Sequence, residues 1–402
     1  MDDLTNDMQQ NEEIAMLSGQ SSLPENFIGK TGQGQCRVQA PERISKDNSL
    51  EEILSLARKL KASDVHFSVG KEIFFKINGI LKMQTEDKLS QEAVWCLVDL
   101  LLSLEQKKTF ESRRDIELVH VIEGLGRFRV SIMHKTPGID LTIRLIPDKL
   151  YTFEETGMPE TCRELLKWSQ GLVLITGPIG CGKSTTLAVL CELINQTRKE
   201  HIITIESPIE IVYTPKLSQI TQREIGLHTM SQNNALRSAL RQDPDILLIS
   251  DLRDLSTIQL AATAAETGHL VLGTMNTNDA AQTLLRLINS FPPQDKELVQ
   301  NMISESLRGI ICQQLIPTKR RDKLVAAYEV LVVNAAISNL IHKGNLDQVF
   351  QVIETGKAEG MTSFDASLIE LVKNDVISWE EGAARSVNKR EFEKIGYKRY
   401  SG

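Results

Sequence analysis

Gly177-Pro178-Ile179-Gly180-Cys181-Gly182-Lys183-Ser184 decides how this chain is read. The stretch fits G-x-x-x-x-G-K-[ST], the phosphate-binding loop, at every specified position. The apolar run Leu172-Val173-Leu174-Ile175 precedes it and reads as a buried strand. Thr185 to Thr197 follows, with Leu187, Leu190, Leu193 and Ile194 at helical spacing. A strand, a glycine loop and a helix start together turn loop amides and the helix dipole toward one anion. Glycine supplies the backbone angles and lets phosphates approach closely. The loop with Thr185 behind it is therefore the expected nucleotide cradle. In it Lys183 reaches the β- and γ-phosphates and Ser184 holds Mg2+. Cys181 reads as a small filler whose oxidation would block the loop.

The bulk numbers narrow what the nucleotide can drive. A chain of 402 residues has room for about two or three domains. Its hydrophobic content of 41% and charged content of 25% are ordinary for a soluble globular protein. A formal net charge of −7 argues against a nonspecific nucleic-acid binder, so no nucleic-acid partner is expected. There is no apolar run long enough to span a bilayer. The first residues, Met1-Asp2-Asp3-Leu4-Thr5-Asn6-Asp7, are too acidic and polar for a secretory signal. Cys36, Cys96, Cys162, Cys181, Cys191 and Cys312 are scattered without a C-x-x-C pair. That suggests neither a zinc site nor a disulfide framework, and fits a reducing cytoplasm.

Residues 1–48 are polar and aperiodic and read as a disordered tail. Order begins at Ser49-Leu50-Glu51-Glu52, a capping box. Leu50, Ile53, Leu54, Ala57 and Leu60 then form one helical face. Val65/Phe67 and Ile73/Phe75/Ile77 alternate as strands do, and Asn78-Gly79 signals a turn. Gln91 to Leu104 reads as a second amphipathic helix, with strands at 116–121, 126–133 and 141–146. This gives a small α+β domain over 49–147. A linker is expected over 148–159 and an α/β domain over 160–402. Short apolar strands at 172–175, 202–205, 246–249 and 270–273 alternate with helices there, the pattern of a mostly parallel sheet. Residues 325–333 add a candidate strand. Leu298, Met302, Ile303, Leu307, Ile310 and Ile311 are read as one long helix.

Several segments together resemble the PilT/PilU group of type IV pilus retraction motors, within the type II/IV secretion ATPases. In the small domain these are Ala62-Ser63-Asp64-Val65-His66, Gly126-Arg127-Phe128-Arg129-Val130 and Arg144-Leu145-Ile146-Pro147. In the large domain, His201 to Glu210 resembles the family's acidic "Asp box". Ala235 to Asp245, Thr263 to His269 and Ala336-Ile337-Ser338-Asn339-Leu340-Ile341 match further family segments. The four-cysteine module usual in assembly and secretion members is missing, which favours the retraction side. The resemblance implies a RecA-like P-loop core behind a smaller α+β, PAS-like domain. It also implies ATP hydrolysis in a homo-hexamer at the cytoplasmic face of the inner membrane. The implied partners are a pilus platform protein and a second pilus motor ATPase.

The departures fall on the chemistry. Ser207 stands where the family usually has Asp, Asp251 where it has a catalytic Glu, and Asn276 where it has His; Ser338 and His342 replace usual arginines. By resemblance, Glu206 orients water or acts as base, and Asp251 ends a buried strand facing Mg2+. Asp251 also reads as a helix N-cap for the segment starting near Leu255, and the two roles are compatible. Asp is one methylene shorter than Glu, about 1.3–1.5 Å of lost reach, so slow hydrolysis is expected. Arg127 and Arg129 share one strand face, either solvated or reaching a neighbouring subunit's nucleotide. Arg144 belongs to the same argument. His66 and His269 read as structural, and Lys319-Arg320-Arg321 as a solvated turn.

Overall fold

The computed structural model of the chain describes residues 48–147, 150–390 and 392. The expected tail therefore lies outside the described residues except for Asn48. Two compact units divide after Leu145.

The first unit is built on the six-stranded sheet β3-β2-β1-β6-β5-β4. Its strands are β1 (Ala62–Ser68), β2 (Phe74–Ile77), β3 (Ile80–Met83), β4 (Asp115–Ile122), β5 (Gly126–His134) and β6 (Ile139–Leu145), all paired antiparallel. Alternation decides its faces. Val65, Phe67, Phe75, Phe128, Val130, Ile132, Leu141 and Ile143 are buried together with the apolar stripes of the helices Leu50–Lys59 and Gln91–Leu101. The opposite face carries Asp64, His66, Arg127, Arg129, Thr142 and Arg144. The Ser49–Glu52 capping box forms as read from sequence. The second helix is shorter than expected. It stops at Leu101, Leu102 is extended, and Ser103 with Gln106 makes a new capping box that starts the helix Leu104–Arg113.

The second unit is a seven-stranded sheet in the order β13-β12-β7-β11-β10-β8-β9. Its strands are β7 (Gly171–Thr176), β8 (His201–Glu206), β9 (Gln219–Glu224), β10 (Ile246–Ile249), β11 (Leu270–Met275), β12 (Leu307–Pro317) and β13 (Leu324–Val332). All neighbours are parallel except β12 and β13. Both sheet faces are covered, so the central strands are buried and mostly apolar, with Thr176 and Thr274 near their carboxyl ends. Leu172 and Leu174 of β7 pack into one layer with the helices Leu255–Glu266, Ala280–Asn289 and Lys296–Ser306. Val173 and Ile175 pack into the other with the helix Lys183–Thr197. The expected mixed α/β class is thus found, with a mostly parallel sheet covered by helices.

Three features depart from the sequence reading. The long helix through Ile311 ends at Ser306, and Leu307 opens β12. Leu307, Ile310 and Ile311 satisfy a helical period, but Gly309 among them and Cys312 after them are equally buried, as a central strand demands. The edge strand β9 was not foreseen, since Gln219-Ile220-Thr221-Gln222-Arg223-Glu224 is mostly polar. Residues 150–159, expected as linker, contain the short helix Phe153–Thr156, capped by Thr152 and Glu155. Phe153 and Met158 are buried in the core of the second unit. A last cluster, with Ile316, Phe364, Leu368 and Phe392, holds the helices Phe364–Lys373 and Trp379–Arg385 against the β12–β13 end.

Candidate nucleotide site

The parallel strands bring the candidate residues to one edge. In register, Leu174 of β7, Gly273 of β11, Ile249 of β10 and Ile205 of β8 lie side by side. Just beyond those positions come the phosphate loop, Asn276, Asp251 and Glu206. Ligands of open α/β sheets bind in the crevice outside these carboxyl ends.

The loop runs from Thr176 at the end of β7 to the helix starting at Lys183. Gly177 has φ 149° and Gly182 φ 93°, values that side chains rarely adopt. A Cβ on Gly177 would also collide with the Gln313 carbonyl and Cys181 Sγ. Pro178, Ile179, Gly180 and Ser184 are exposed, while Thr185 is half-buried. Lys183 Nζ donates to the carbonyls of Gly177 (2.7 Å) and Pro178 (3.0 Å). Burial lowers its pKa, while the Cys181 and Asp251 charges pull it back up. Lys183 and Asp251 are therefore electrostatic neighbours, although 68 positions separate them in the chain. Cys181 is buried, and burial raises its thiol pKa, so it is a filler and a poor nucleophile.

Asp251 is held from three sides. Gln232 Nε2 donates to its carbonyl (2.6 Å), Thr274 Oγ1 donates to the Ser250 carbonyl, and Leu252 N donates to the Thr274 carbonyl (2.8 Å). Oδ2 pairs with Arg253 Nε. Oδ1 is buried and has no hydrogen-bond partner among the described residues. The N-cap of the helix Leu255–Glu266 is Asp254, whose carboxylate accepts from Thr257 N (2.9 Å). That corrects the capping role read for Asp251.

Glu206 closes β8. Thr204 Oγ1 (2.6 Å) and Gln222 Nε2 (3.0 Å) both donate to its Oε1. Burial raises its pKa and the charges of Glu210 and Glu224 add to this; the two donors work against it. A carboxylate so placed accepts protons closer to neutral pH than an ordinary Glu.

A family model described as "Type II/IV secretion system protein" matches residues 40–381. The chain belongs to that family. The type IV pilus retraction ATPase PilT of Pseudomonas aeruginosa is 40% identical over 346 residues, 86% of this chain and 98% of that protein. A twitching motility protein of Neisseria gonorrhoeae is 40% identical over 317 residues, 79% of this chain and 85% of that one. A crystal structure of the pilus retraction motor PilT with bound ADP matches with TM-score 0.76 at 36% identity, covering 86% of this chain and 99% of that chain.

The remaining segments singled out in the sequence make contacts within their own units. Ile337, Leu340 and Ile341 bury one face of the helix Ala335–Lys343, and Ser338 Oγ donates to the Ser304 carbonyl (2.8 Å). Nδ1 of His269 lies 3.0 Å from the Ala264 carbonyl, at the end of its helix. Lys319 to Arg321 lies in the β12–β13 connection, with Lys319 Nζ 2.7 Å from Asp375. In the first unit, Arg129 pairs with Glu117, and Arg144 Nε donates to Asp64 Oδ1 (2.8 Å). Burial raises the Asp64 pKa, but its bonds from Arg144 and Ser63 outweigh this and leave it lowered. His66 Nδ1 sits 3.2 Å from Thr142 Oγ1.

Sequence reasoning missed the glutamines. Gln222, Gln232 and Gln313 each reach a loop or carboxylate of the site. It also missed Glu329 of β13, whose Oε1 accepts from Ala280 N (2.8 Å) at the start of the helix after Asn276. Burial pushes its carboxyl up to about 7.

Proposed function

We propose that the chain is the ATP-hydrolysing motor of a type IV pilus retraction machine or a related secretion machine, and that it turns over slowly. The observation that carries the proposal is the intact phosphate loop lying on one sheet edge with half-buried Glu206 and with Asp251. The kinship with PilT points to pilus retraction. In this reading Gly177 to Thr185 bind the phosphates, and Lys183 leaves its two loop carbonyls to meet them. Mg2+ has a fitting donor set in the exposed Ser184 hydroxyl and the unpartnered Asp251 Oδ1. When bound, it supplies positive charge to the phosphate oxygens. Glu206 accepts the proton of the attacking water; Thr204 and Gln222 hold one of its oxygens and leave the other for that task. The short reach of Asp251 explains slow turnover, since a misplacement of about 1 Å can cost on the order of 100-fold in rate.

Assembly follows the same reading: a homo-hexamer, with Arg127 and Arg129 completing a neighbour's site. The ring works against a platform protein at the cytoplasmic face of the inner membrane, beside a second motor ATPase. Among the described residues no helix is long and apolar enough to cross a membrane.

A second reading is a nucleotide-binding subunit with lost catalysis. It is favoured by the engagement of Asp251 Oδ2 with Arg253, together with Ser207 and Asn276 at positions of motif chemistry. Steady-state ATP hydrolysis by the full chain separates the two. The motor reading expects measurable turnover that rises in Asp251→Glu and vanishes in Lys183→Ala. ATP binding without hydrolysis in both the wild type and Asp251→Glu supports the second reading. Absence of an ATP-dependent thermal shift at millimolar nucleotide would sink both.

A further inference from the structure

We infer that Gln313 is a positioning residue of the nucleotide site, which holds the phosphate loop in its binding curvature by a side-chain bridge from β12. The inference rests on the reading of that loop as a nucleotide cradle. Gln313 is 2% exposed, and both ends of its amide are used. Its Nε2 donates to the Cys181 carbonyl (2.6 Å), and its Oε1 accepts from Thr186 Oγ1 (2.7 Å). Cys181 precedes Lys183 by two residues and Thr186 follows it by three. The bridge therefore grips the loop on both sides of the residues that meet phosphate and metal. The Gln313 backbone carbonyl also lies where a Cβ on Gly177 would collide.

The bond to Cys181 has a directional consequence. In a trans peptide the carbonyl and the following N–H point in opposite directions. Turning the Cys181 carbonyl in toward Gln313 therefore turns the Gly182 N–H away from Gln313. Gly182, with φ 93°, has the freedom to let this peptide flip if the carbonyl is released. A flipped peptide presents a carbonyl oxygen to the anion in place of an amide. Gln313 thus acts on the nucleotide through the loop, without touching it.

The test is Mg-ADP titration of the full chain by calorimetry, beside nucleotide-free thermal unfolding. Gln313→Leu leaves the buried Cys181 carbonyl without a donor and should weaken Mg-ADP binding on the order of 10- to 100-fold. Thr186→Val removes the other bond and should cost about 3- to 10-fold, whereas Thr186→Ser keeps the hydroxyl and should bind as the wild type does. In Gln313→Glu a carboxylate opposes the Cys181 carbonyl, and protonation converts it to a donor. Its affinity deficit relative to the wild type should therefore shrink as pH falls, a response that a merely space-filling side chain does not give. If Gln313→Leu does not fold, Thr186→Val against Thr186→Ser decides. Folded variants that all bind Mg-ADP like the wild type overturn the inference while leaving the cradle reading intact. A wild type that binds no Mg-ADP overturns both.

Discussion

Glu329→Gln is expected to stabilise the protein at alkaline pH and to leave it unchanged in acid. Burial pushes the Glu329 carboxyl from its ordinary 4.5 up to about 7. Repulsion from Asp279 and Asp365 adds to this, while the Ala280 amide and the Cys312 thiol favour the charged form. Between those two values the folded chain keeps a proton that the unfolded chain has released. Stability therefore falls as pH rises from about 4.5 to about 7, and the loss is complete above that. The gap between the two values amounts to about 3 kcal/mol. Gln keeps an oxygen to accept from Ala280 N and never ionises, so it escapes this penalty. For a domain of this size, about 3 kcal/mol corresponds to roughly 6–12 °C in Tm. Nucleotide-free thermal unfolding of both proteins should show their Tm values converging near pH 5 and separating up to pH 8. Taking the difference at each pH cancels the other groups, Glu206 among them. A difference that is flat across this range, or that favours Glu329 in base, would refute the argument.

Two further outcomes test the chemistry. Gln222→Leu removes a donor that lowers the Glu206 pKa, so that pKa should climb further. The acidic limb of kcat/KM against pH should then move to higher pH; an unmoved limb means that Glu206 is not the base. Arg127→Ala with Arg129→Ala should leave the first unit folded, since both residues lie on its polar sheet face, yet depress hydrolysis, because an arginine supplied to a neighbour's phosphate can be worth on the order of 10³–10⁵ in rate. Mixing that double variant with Lys183→Ala subunits should restore part of the activity, because some interfaces then pair an intact loop with intact arginines. Rings shown to be mixed, with no recovery at any ratio, would exclude arginines acting in trans.

What the sequence revealed follows from how local each signal is. The phosphate loop, β7 and the helix after it form one contiguous stretch, so spacing and glycine placement sufficed. The strands β8, β10 and β11 were equally legible as short apolar runs. β12 was not, because a strand buried on both faces offers apolar residues at every spacing, including that of a helix. Leu307, Ile310 and Ile311 continued the period of Leu298, Met302 and Ile303, and only the pairing with β7 and β13 distinguishes the two forms. The edge strand β9 is polar because one of its sides has no neighbour, so it gave no apolar run at all. Asp251, read as ending β10, lies two residues past its last residue, Ile249. The cap, however, belongs to Asp254, one residue before the helix begins, which is the position where a side chain can reach the free amides.

The glutamines were illegible for a reason that bears on the mechanism. Gln313 lies 132 positions from its partner Cys181, Gln232 lies 19 from Asp251 and Gln222 lies 16 from Glu206. None carries a charge, and none falls in a pattern that marks a site. Yet each donates an amide hydrogen to an oxygen that must be held still: a loop carbonyl, the carbonyl of a candidate metal ligand, and the carboxylate of a candidate base. A lysine or arginine could fix the same oxygens, but its positive charge would compete with Lys183 and Mg2+ for the phosphates and would depress the Glu206 pKa that burial raises. A neutral donor fixes geometry and leaves the local potential to the residues that do chemistry. By the same reasoning, a site that already contains Lys183 and Arg253 beside one carboxylate has little room for further cations. Side-chain amides combine reach, a hydrogen to donate and no net charge, as the shorter Thr204 and Thr274 hydroxyls do at close range.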